Sequence, residues 1–394
     1  MLPVPEGYKF ASFAAGFKYK NRDDLALIVS DTPAVAAAVF TTNKFQAAPV
    51  LVGKSILEES RVVRGAVVNA GLANACTGEG GIADCRESLE LLAGSLGLSS
   101  RDLLPASTGV IGPRFKMEKW KTAAPLVAER LGEDDPVKAA RAIMTTDKFP
   151  KLAWGEVEIG GKTVRMLGMC KGAGMISPDM ATLLGFVFCD AQVDGDWWQG
   201  ALRRSVDKSF NSVTVDGDTS TNDTIMAFAN GASGADVCDE PGRDALEALL
   251  LDICQRLSYM IVQDAEGGTK VMTITVSGAE SDRDADLVAR AVGNSPLVKT
   301  ALFGEDPNWG RIVAAAGRSG AEFDPEQLTL GFGQVVVFEN GTPVEGDLDA
   351  LLDPIMRKQD VDINISLGSG SGSAVLRASD LTKEYISINA DYRS

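Results

Sequence analysis

The chain has 394 residues, of which 45% are hydrophobic and 23% are charged, proportions typical of a folded globular protein. Its net charge of −16 argues against binding to nucleic acid or to an anionic membrane, because both need clusters of lysine and arginine. It contains no histidine, which excludes Ser-His-Asp and Cys-His catalysis as well as zinc sites built on histidine.

Apolar patterns in the first half mix strands with helices. Strand-like runs at Leu25–Val29 and Gly65–Val68 precede a helical stripe of apolar residues over 82–96. Asp135 followed by proline predicts the start of another helix, and the glycine pair at 160–161 predicts the turn of a hairpin. We expect an α/β fold of mixed sheets layered between helices, with two lobes.

The second half repeats this mixture. Helices are predicted over Trp198–Phe210 and over about Asp244–Met260, and strands at Val271–Val276 and Val335–Phe338, the latter closed by an Asn-Gly hairpin turn. The six cysteines form no C-x-x-C pair, and neither a signal peptide nor a membrane-length apolar run is recognised. The sequence therefore predicts a reduced, cytoplasmic protein.

One segment stands out for its chemistry. Residues 171–186 read Lys-Gly-Ala-Gly-Met-Ile-Ser-Pro-Asp-Met-Ala-Thr-Leu-Leu-Gly-Phe, with glycines and a proline before Thr182 and an apolar run after it. Taken alone, this pattern is typical of an irregular turn that leads into a buried strand. No Gly-Lys-Ser or Gly-Lys-Thr follows the glycines, which excludes a phosphate-binding P-loop.

This segment resembles the signature of the ornithine acetyltransferase family, in which Lys-Gly-x-Gly-Met-x-x-Pro-x-x-Ala leads into a self-cleaving threonine. Blocks along the whole chain resemble the same family, in its order: Asn69–Gly78, Ser107–Gly112, Met144–Asp147, Asp216–Asp223, Asp264–Lys270, Gly304–Arg311 and Asn389–Tyr392. Two departures exist: Ala70 and Leu72 replace small or polar residues, and the chain ends in Arg393-Ser394 where two small hydroxyl residues are usual.

The resemblance implies self-cleavage between Ala181 and Thr182, which would give an α chain of residues 1–181 and a β chain of residues 182–394. Thr182 would then be the nucleophile and its new α-amine, with an ordinary pKa of about 7.7–8.0, would be its base. Such a base suits a chain without histidine. Thr108 and Gly109 correspond to the oxyanion hole of the family.

The resemblance further implies a glutamate N-acetyltransferase of arginine biosynthesis, which moves acetyl from N2-acetyl-L-ornithine to Thr182 and then to L-glutamate. The substrate-contacting positions carried over from the family are Thr145, Lys171, Thr182, Glu266, Asn389 and Ser394. Lys171 suits the α-carboxylate of the substrates, and Glu266 suits the cationic side-chain amine of ornithine. The family implies no metal or bound cofactor, and a heterotetramer of two α and two β chains. Some members also accept acetyl-CoA, and the sequence leaves that donor open.

Three alternatives stay open at this point. One is a self-cleaving amidohydrolase or aminopeptidase that uses the same nucleophile and releases acetate to water. Another is a metal-dependent enzyme that holds Mg²⁺ with Asp216, Asp218 and Asp223. The third is a binding protein without catalytic activity, which would persist as one uncut chain.

Overall fold

The computed structural model describes residues 2–177 and 183–391, so Ala181, Thr182 and Ser394 lie outside the described residues. The strands are β1 (Tyr8–Phe13), β2 (Leu25–Phe40), β3 (Val62–Leu72), β4 (Leu103–Val110), β5 (Lys151–Ile159), β6 (Lys162–Lys171), β7 (Leu184–Cys189), β8 (Val213–Thr214), β9 (Thr224–Ala229), β10 (Val271–Ala279), β11 (Thr329–Phe332), β12 (Val335–Glu339), β13 (Thr342–Pro343), β14 (Asp360–Ser366) and β15 (Gly372–Ser379). The helices are α1 (Ala48–Glu59), α2 (Gly78–Leu96), α3 (Met117–Glu129), α4 (Pro136–Ala142), α5 (Gly195–Asp207), α6 (Glu240–Gln263), α7 (Asp282–Gly293), α8 (Pro296–Phe303), α9 (Trp309–Gly317), α10 (Asp349–Met356) and α11 (Lys383–Asp391).

The first sheet is mixed and has the order β4-β3-β2-β9-β7-β6-β5, with β1 paired to β2. β3 and β4 are parallel, as are β7 and β9, while β6 pairs with its neighbours β5 and β7 in antiparallel fashion. Strands β7 and β9 come after residue 182 in the chain, whereas β2 and β6 come before it. In the sheet, β9 and β7 therefore lie between β2 and β6.

The second sheet is also mixed, with the order β13-β12-β11-β14-β10-β15-β8. Its central strand β10 is parallel to β14 and antiparallel to β15. All of its strands come from the part of the chain after residue 182.

Helices cover both faces of the first sheet and divide its apolar side chains into two cores. One core joins the sheet to α2, α3 and α4 through residues such as Leu89 and Trp120, and the other joins it to α5 and α6 through residues such as Trp198 and Ile253. A third core lies between the second sheet and α7, α8 and α9. The expected layering of mixed sheets between helices is confirmed.

Most elements predicted from periodicity are confirmed, with small differences at their ends. Asp135 caps α4 by accepting a hydrogen bond from the Lys138 N–H, and the 160–161 turn has positive φ at both glycines. The helix predicted to begin at Asp244 begins earlier, at Glu240, because Asp239 is its cap and a proline occupies its first turn. Among the helices described, none has the length and apolar character that crossing a membrane requires.

Candidate active site

One open cleft gathers the predicted site residues that the structure describes. Every predicted site residue that the structure describes lines it: Thr108, Gly109, Thr145, Lys171, Glu266 and Asn389. They come from the end of β4, the loop after α4, the end of β6, the loop after α6, and α11. The structure shows that these residues lie together, whereas the role of each residue stays a prediction.

Thr108 and Gly109 lie at the end of β4, beside β3. The strands are parallel and pair Gly71 with Gly109. Gly109 has a φ of 125°, in the left-handed region, and a Cβ there would lie only 2.3 Å from the carbonyl carbon of Gly71. Glycine is therefore required at this position of β4 by both conformation and space. Ser107 fixes the approach to it, since its hydroxyl donates to Asn69 at 2.6 Å.

Lys171 is the last residue of β6 and is only 2% exposed. Its Nζ donates a hydrogen bond to Oγ1 of Thr108 at 3.2 Å. An ammonium group has no lone pair, so Thr108 must be the acceptor in this contact. The hydroxyl proton of Thr108 is consequently available to a different acceptor in the cleft.

Beneath the cleft lies a buried network of Asp147, Lys151 and Asp264. All three side chains are fully buried, and Lys151 Nζ donates to Asp147 at 2.7 Å and to Asp264 at 2.6 Å. Burial alone would raise the pKa of Asp147, but the cations of Lys171 and Lys151 outweigh it and lower that pKa to about 2. Asp147 thus stays ionised in the folded protein.

Asp147 also holds the backbone on two sides of the cleft. Its Oδ2 accepts the N–H of Thr145 at 3.0 Å, and its Oδ1 accepts the N–H of Gly172 at 2.7 Å. The loop that carries Thr145 is thereby tied to the residue that follows Lys171. One carboxylate therefore sets the spacing of two predicted substrate-binding positions.

Glu266 and Asn389 line the cleft as a hydrogen-bonded pair. The Asn389 side chain donates to Oε2 of Glu266 at 2.9 Å, and the Glu266 N–H donates to the carbonyl of Ala173 at 2.9 Å. An amide neutralises no charge, so the Glu266 carboxylate keeps its attraction for a cation. Only 8% of Glu266 is exposed, which limits competition from water.

Two carboxylates hold the chain on either side of residues 178–182. Asp216 accepts the N–H groups of Met175 and Ile176 at 2.6 and 2.9 Å. Asp223 accepts the N–H of Leu183 at 3.0 Å, and burial raises its pKa well above the ordinary value. Leu183, the neighbour of Thr182 in sequence, is therefore anchored to the loop before β9.

These contacts bear on the metal-dependent alternative. The oxygens of Asp216 and Asp223 face N–H groups, and Asp216 also accepts the hydroxyl of Tyr385 at 3.2 Å. Within residues 2–177 and 183–391, no group of three potential ligands is arranged to hold a metal ion. The donors around these carboxylates thus favour a structural role for the Asp216–Asp223 block.

Several lining residues were not identified from the sequence as site residues: Ala73, Ile111, Thr146, Gly174, Met175, Ser220 and Asn222. All of them belong to the motif blocks that resemble the family. Membership of a block does not distinguish a residue that lines the cleft from one that only supports the fold. Lys151 had no signal at all, because a lysine is ordinarily a surface residue.

Comparisons with known proteins place these residues in a family context. The model of the ArgJ family matches residues 9–394. The arginine biosynthesis bifunctional protein ArgJ of Nitratidesulfovibrio vulgaris is 54% identical over 394 residues, 100% of each chain, and that of Geobacter sulfurreducens is 46% identical over 391 residues, 99% of each. The crystal structure of the arginine biosynthesis bifunctional protein of Bacillus halodurans aligns with a TM-score of 0.50 and 35% identity, over 52% of this chain and 98% of that one.

The family model and the two relatives matched by sequence extend over almost the whole chain, a range that includes every motif block from Asn69 to Asn389. They confirm the expectation of an enzyme related to those of arginine biosynthesis, while the threonine intermediate and the use of acetyl-CoA stay predictions. The chain belongs to the ArgJ family.

Proposed function

We propose that this chain is a glutamate N-acetyltransferase that carries acetyl from N2-acetyl-L-ornithine to L-glutamate on Thr182. The observation that carries the proposal is the convergence of Thr108, Lys171 and Glu266, from three distant parts of the chain, on one cleft. An oxyanion donor, a cation for a carboxylate and a carboxylate for an amine are what an acetylated basic amino acid needs. The names of the relatives, arginine biosynthesis bifunctional proteins, agree with it.

Self-cleavage before Thr182 is the first step of the proposed function. It would expose an α-amine whose ordinary pKa, about 7.7–8.0, suits a base at neutral pH better than that of lysine at about 10.4. The crystallised Bacillus halodurans chain supports cleavage, because an alignment over 98% of it covers only 52% of this chain. That chain is about half as long as this one, as expected for one fragment of a chain cut near its middle.

In the proposed transfer, the Thr182 hydroxyl attacks the acetyl carbonyl while the α-amine takes its proton. The resulting oxyanion accepts hydrogen bonds from the Thr108 hydroxyl and the Gly109 N–H, each worth about 2.7–4 kcal/mol of barrier lowering. Collapse of the intermediate passes the proton to the departing α-amine of ornithine and leaves an acetyl ester on Thr182. The amine of glutamate then attacks this ester and releases acetylglutamate and the free hydroxyl.

The donor and the acceptor amino acid use the same cleft in turn. The chemical groups that they share, and those in which they differ, therefore indicate which polar residue of the cleft binds which group. Both carry an α-carboxylate, which we assign to Lys171, with Thr145 beside it across the Asp147 bridge. Only the donor carries a side-chain cation, which we assign to Glu266 and Asn389. We include acetyl-CoA as a second donor: the relatives are named bifunctional proteins, which supports a second activity, and a thioester would deliver the same acetyl group to the same hydroxyl.

Fragment analysis tests the cleavage. Purified protein should give two bands on a denaturing gel, one with the N-terminal sequence Thr-Leu-Leu-Gly-Phe, and Thr182→Ala should give one full-length band. Incubation with N2-acetyl-L-ornithine and L-glutamate should yield acetylglutamate, detected by mass spectrometry. An uncut, fully active wild-type chain would refute the threonine mechanism, and acetate without acetylglutamate would identify a hydrolase.

Half-reaction kinetics test the assignment of charges in protein confirmed to be cleaved. Lys171→Met should lower kcat/KM for donor and acceptor alike, whereas Glu266→Gln should lower it more for the donor. Lys208→Met and Glu118→Gln, at exposed positions, are the controls for the loss of a surface charge. Equal losses on both halves for Glu266→Gln would contradict its assignment to the ornithine side chain.

A further inference from the structure

Gly174 lies directly against the carboxylate of Glu266. A Cβ built on Gly174 would stand 2.4 Å from both Cδ and Oε2 of Glu266, and 2.7 Å from Oε1, closer than any real Cβ contact. The φ of Gly174 is outside the left-handed region, so the backbone there accepts an ordinary L-residue. Space beside Glu266, and not backbone conformation, is what requires glycine at this position.

The backbone next to Gly174 also fixes the base of the Glu266 side chain. The Glu266 N–H donates to the carbonyl of Ala173 at 2.9 Å, so the loop after β6 and the loop after α6 are joined one residue before Gly174. The side-chain amide of Asn389, on α11, donates to Oε2 of Glu266 at 2.9 Å and to the carbonyl of Tyr385 at 3.0 Å. The carboxylate is thus confined between Gly174 and α11.

Because the contact falls on the far end of a flexible side chain, an added methyl group would displace the carboxylate and leave the fold intact. The displaced carboxylate would give up its bond to Asn389 or its place on the cleft wall. The cleft would keep Thr108, Gly109 and Lys171 in place, since they lie at the ends of β4 and β6 and the three atoms nearest to the added methyl group all belong to Glu266. A methyl group at residue 174 therefore perturbs one wall of the cleft.

We propose that Gly174 is a specificity-determining residue, which keeps open the space that Glu266 needs to receive the side-chain cation of the donor. This rests on the proposed function, because it assigns the donor cation to Glu266. The glycine touches no reacting atom and acts through the position of the carboxylate. Its removal should change the choice between donors with and without a side-chain cation.

The experiment compares two donors of equal carbon skeleton, N2-acetyl-L-ornithine and N2-acetyl-L-norvaline, which lacks the side-chain amine. The measured quantity is the ratio of their kcat/KM values with saturating glutamate, in cleaved protein. A charge-assisted hydrogen bond is worth roughly 10–100-fold in affinity, so Gly174→Ala should lower the ratio by about that factor. Gly94→Ala, on an exposed turn of α2 with nothing within 4 Å of the new methyl, should keep the wild-type ratio.

A double-mutant cycle shows whether the glycine acts through Glu266. In the Glu266→Gln background the cation preference is already lost, so Gly174→Ala should change the ratio by less than about threefold. A full further loss in that background would overturn the proposal, as would an unchanged ratio in Gly174→Ala alone. A Gly174→Ala chain that stays uncut while Gly94→Ala is cleaved would also overturn it, by assigning the glycine to processing.

Failure of the proposed function looks different. Wild-type protein that forms no acetylglutamate from acetylornithine would contradict the proposed function before any variant is compared. A wild type that is active and prefers acetylornithine over acetylnorvaline, together with an unaltered preference in Gly174→Ala, would contradict only the role of the glycine.

Discussion

Replacing Asp147 with asparagine tests whether the buried network under the cleft determines both stability and geometry. Asp147 accepts three hydrogen bonds, from the N–H groups of Thr145 and Gly172 and from Lys151. Asparagine has one acceptor oxygen and turns its amide hydrogens toward at least one of these donors. Lys151 keeps only Asp264 as a charged partner, at 2.6 Å.

The magnitude follows from the burial of these side chains, which are 0% exposed. Removing one partner of a buried ion pair costs about 3–5 kcal/mol, and the lower end applies because Lys151 retains Asp264. We expect Asp147→Asn to lower the free energy of unfolding by about 3 kcal/mol. With an unfolding entropy of roughly 2.1 cal/mol/K per residue, the midpoint temperature of thermal unfolding for a chain of this length should fall by roughly 4 °C.

The pH dependence supplies an independent part of this prediction. The folded pKa of Asp147, about 2, is below its ordinary value of 3.8. A depressed carboxyl pKa contributes stability that is present above the unfolded pKa and is lost as pH falls through the folded pKa. The contribution is about 2 kcal/mol, so the stability gap between wild type and variant should narrow from pH 5 toward pH 2.

The assay is urea and thermal unfolding followed by circular dichroism, with Thr182→Ala as the background so that every variant is a single chain. Asp252→Asn is the matched control, because Asp252 forms an ion pair of the same i,i+4 spacing with Arg256 at an exposed position. It should change stability by no more than about 0.5 kcal/mol. The reasoning about Asp147 would be refuted if both substitutions lowered the free energy of unfolding equally. It would also be refuted if the difference in stability between wild type and Asp147→Asn did not change with pH.

Three further predictions follow from other residues of the structure. Thr108→Ala should lower kcat by about 10²–10³-fold in folded protein, while Thr108→Ser, which keeps the hydroxyl, should retain most activity in the same steady-state assay. Asp223→Asn should slow the appearance of cleavage fragments about tenfold on a gel time course, because it disturbs the acceptor of the Leu183 N–H; unchanged cleavage would contradict this. Burial lowers the pKa of Lys299 to about 8, although the nearby carboxylates of Asp380 and Asp216 act to raise it. Because the unfolded chain holds this proton up to a higher pH than the folded chain does, the free energy of unfolding should rise by up to about 3 kcal/mol between pH 8 and 10.5. Lys299→Met should remove that rise in unfolding experiments over this pH range.

Local patterns allowed the elements to be predicted, because periodicity and capping act within a few residues. The apolar stripe over 82–96 indicated α2, and Asp135 indicated the start of α4. The strand predicted at Leu25–Val29 extends to Phe40 in β2, past a proline, because after a bulge it pairs again with β3 at Ala34 and Val35 and then with β9 up to Phe40. Such pairing between residues far apart in sequence leaves no local signal.

The same limit applies to the site. Glu266 and Lys171 could be named because motif resemblance identifies positions, whereas their contacts depend on the fold. Nothing in the sequence around Lys151 distinguishes it from a surface lysine, and its burial makes sense only once Asp147 and Asp264 are known to meet. Gly174 was part of a recognised motif, yet its reason for being glycine required the position of the Glu266 carboxylate.

The topology explains how a chain could be cut between Ala181 and Thr182 without loss of the fold. β6 and β7 are antiparallel neighbours paired from Met166–Cys189 to Lys171–Leu184, so the proposed cut falls in their connection. Cutting a connection removes one covalent link but none of the ladder hydrogen bonds. β7 is also paired with β9, which in turn pairs with β2, so strands from both fragments alternate across the sheet. Separation of the two proposed fragments would expose buried residues of two cores, and this cost would hold the pieces together around the cleft.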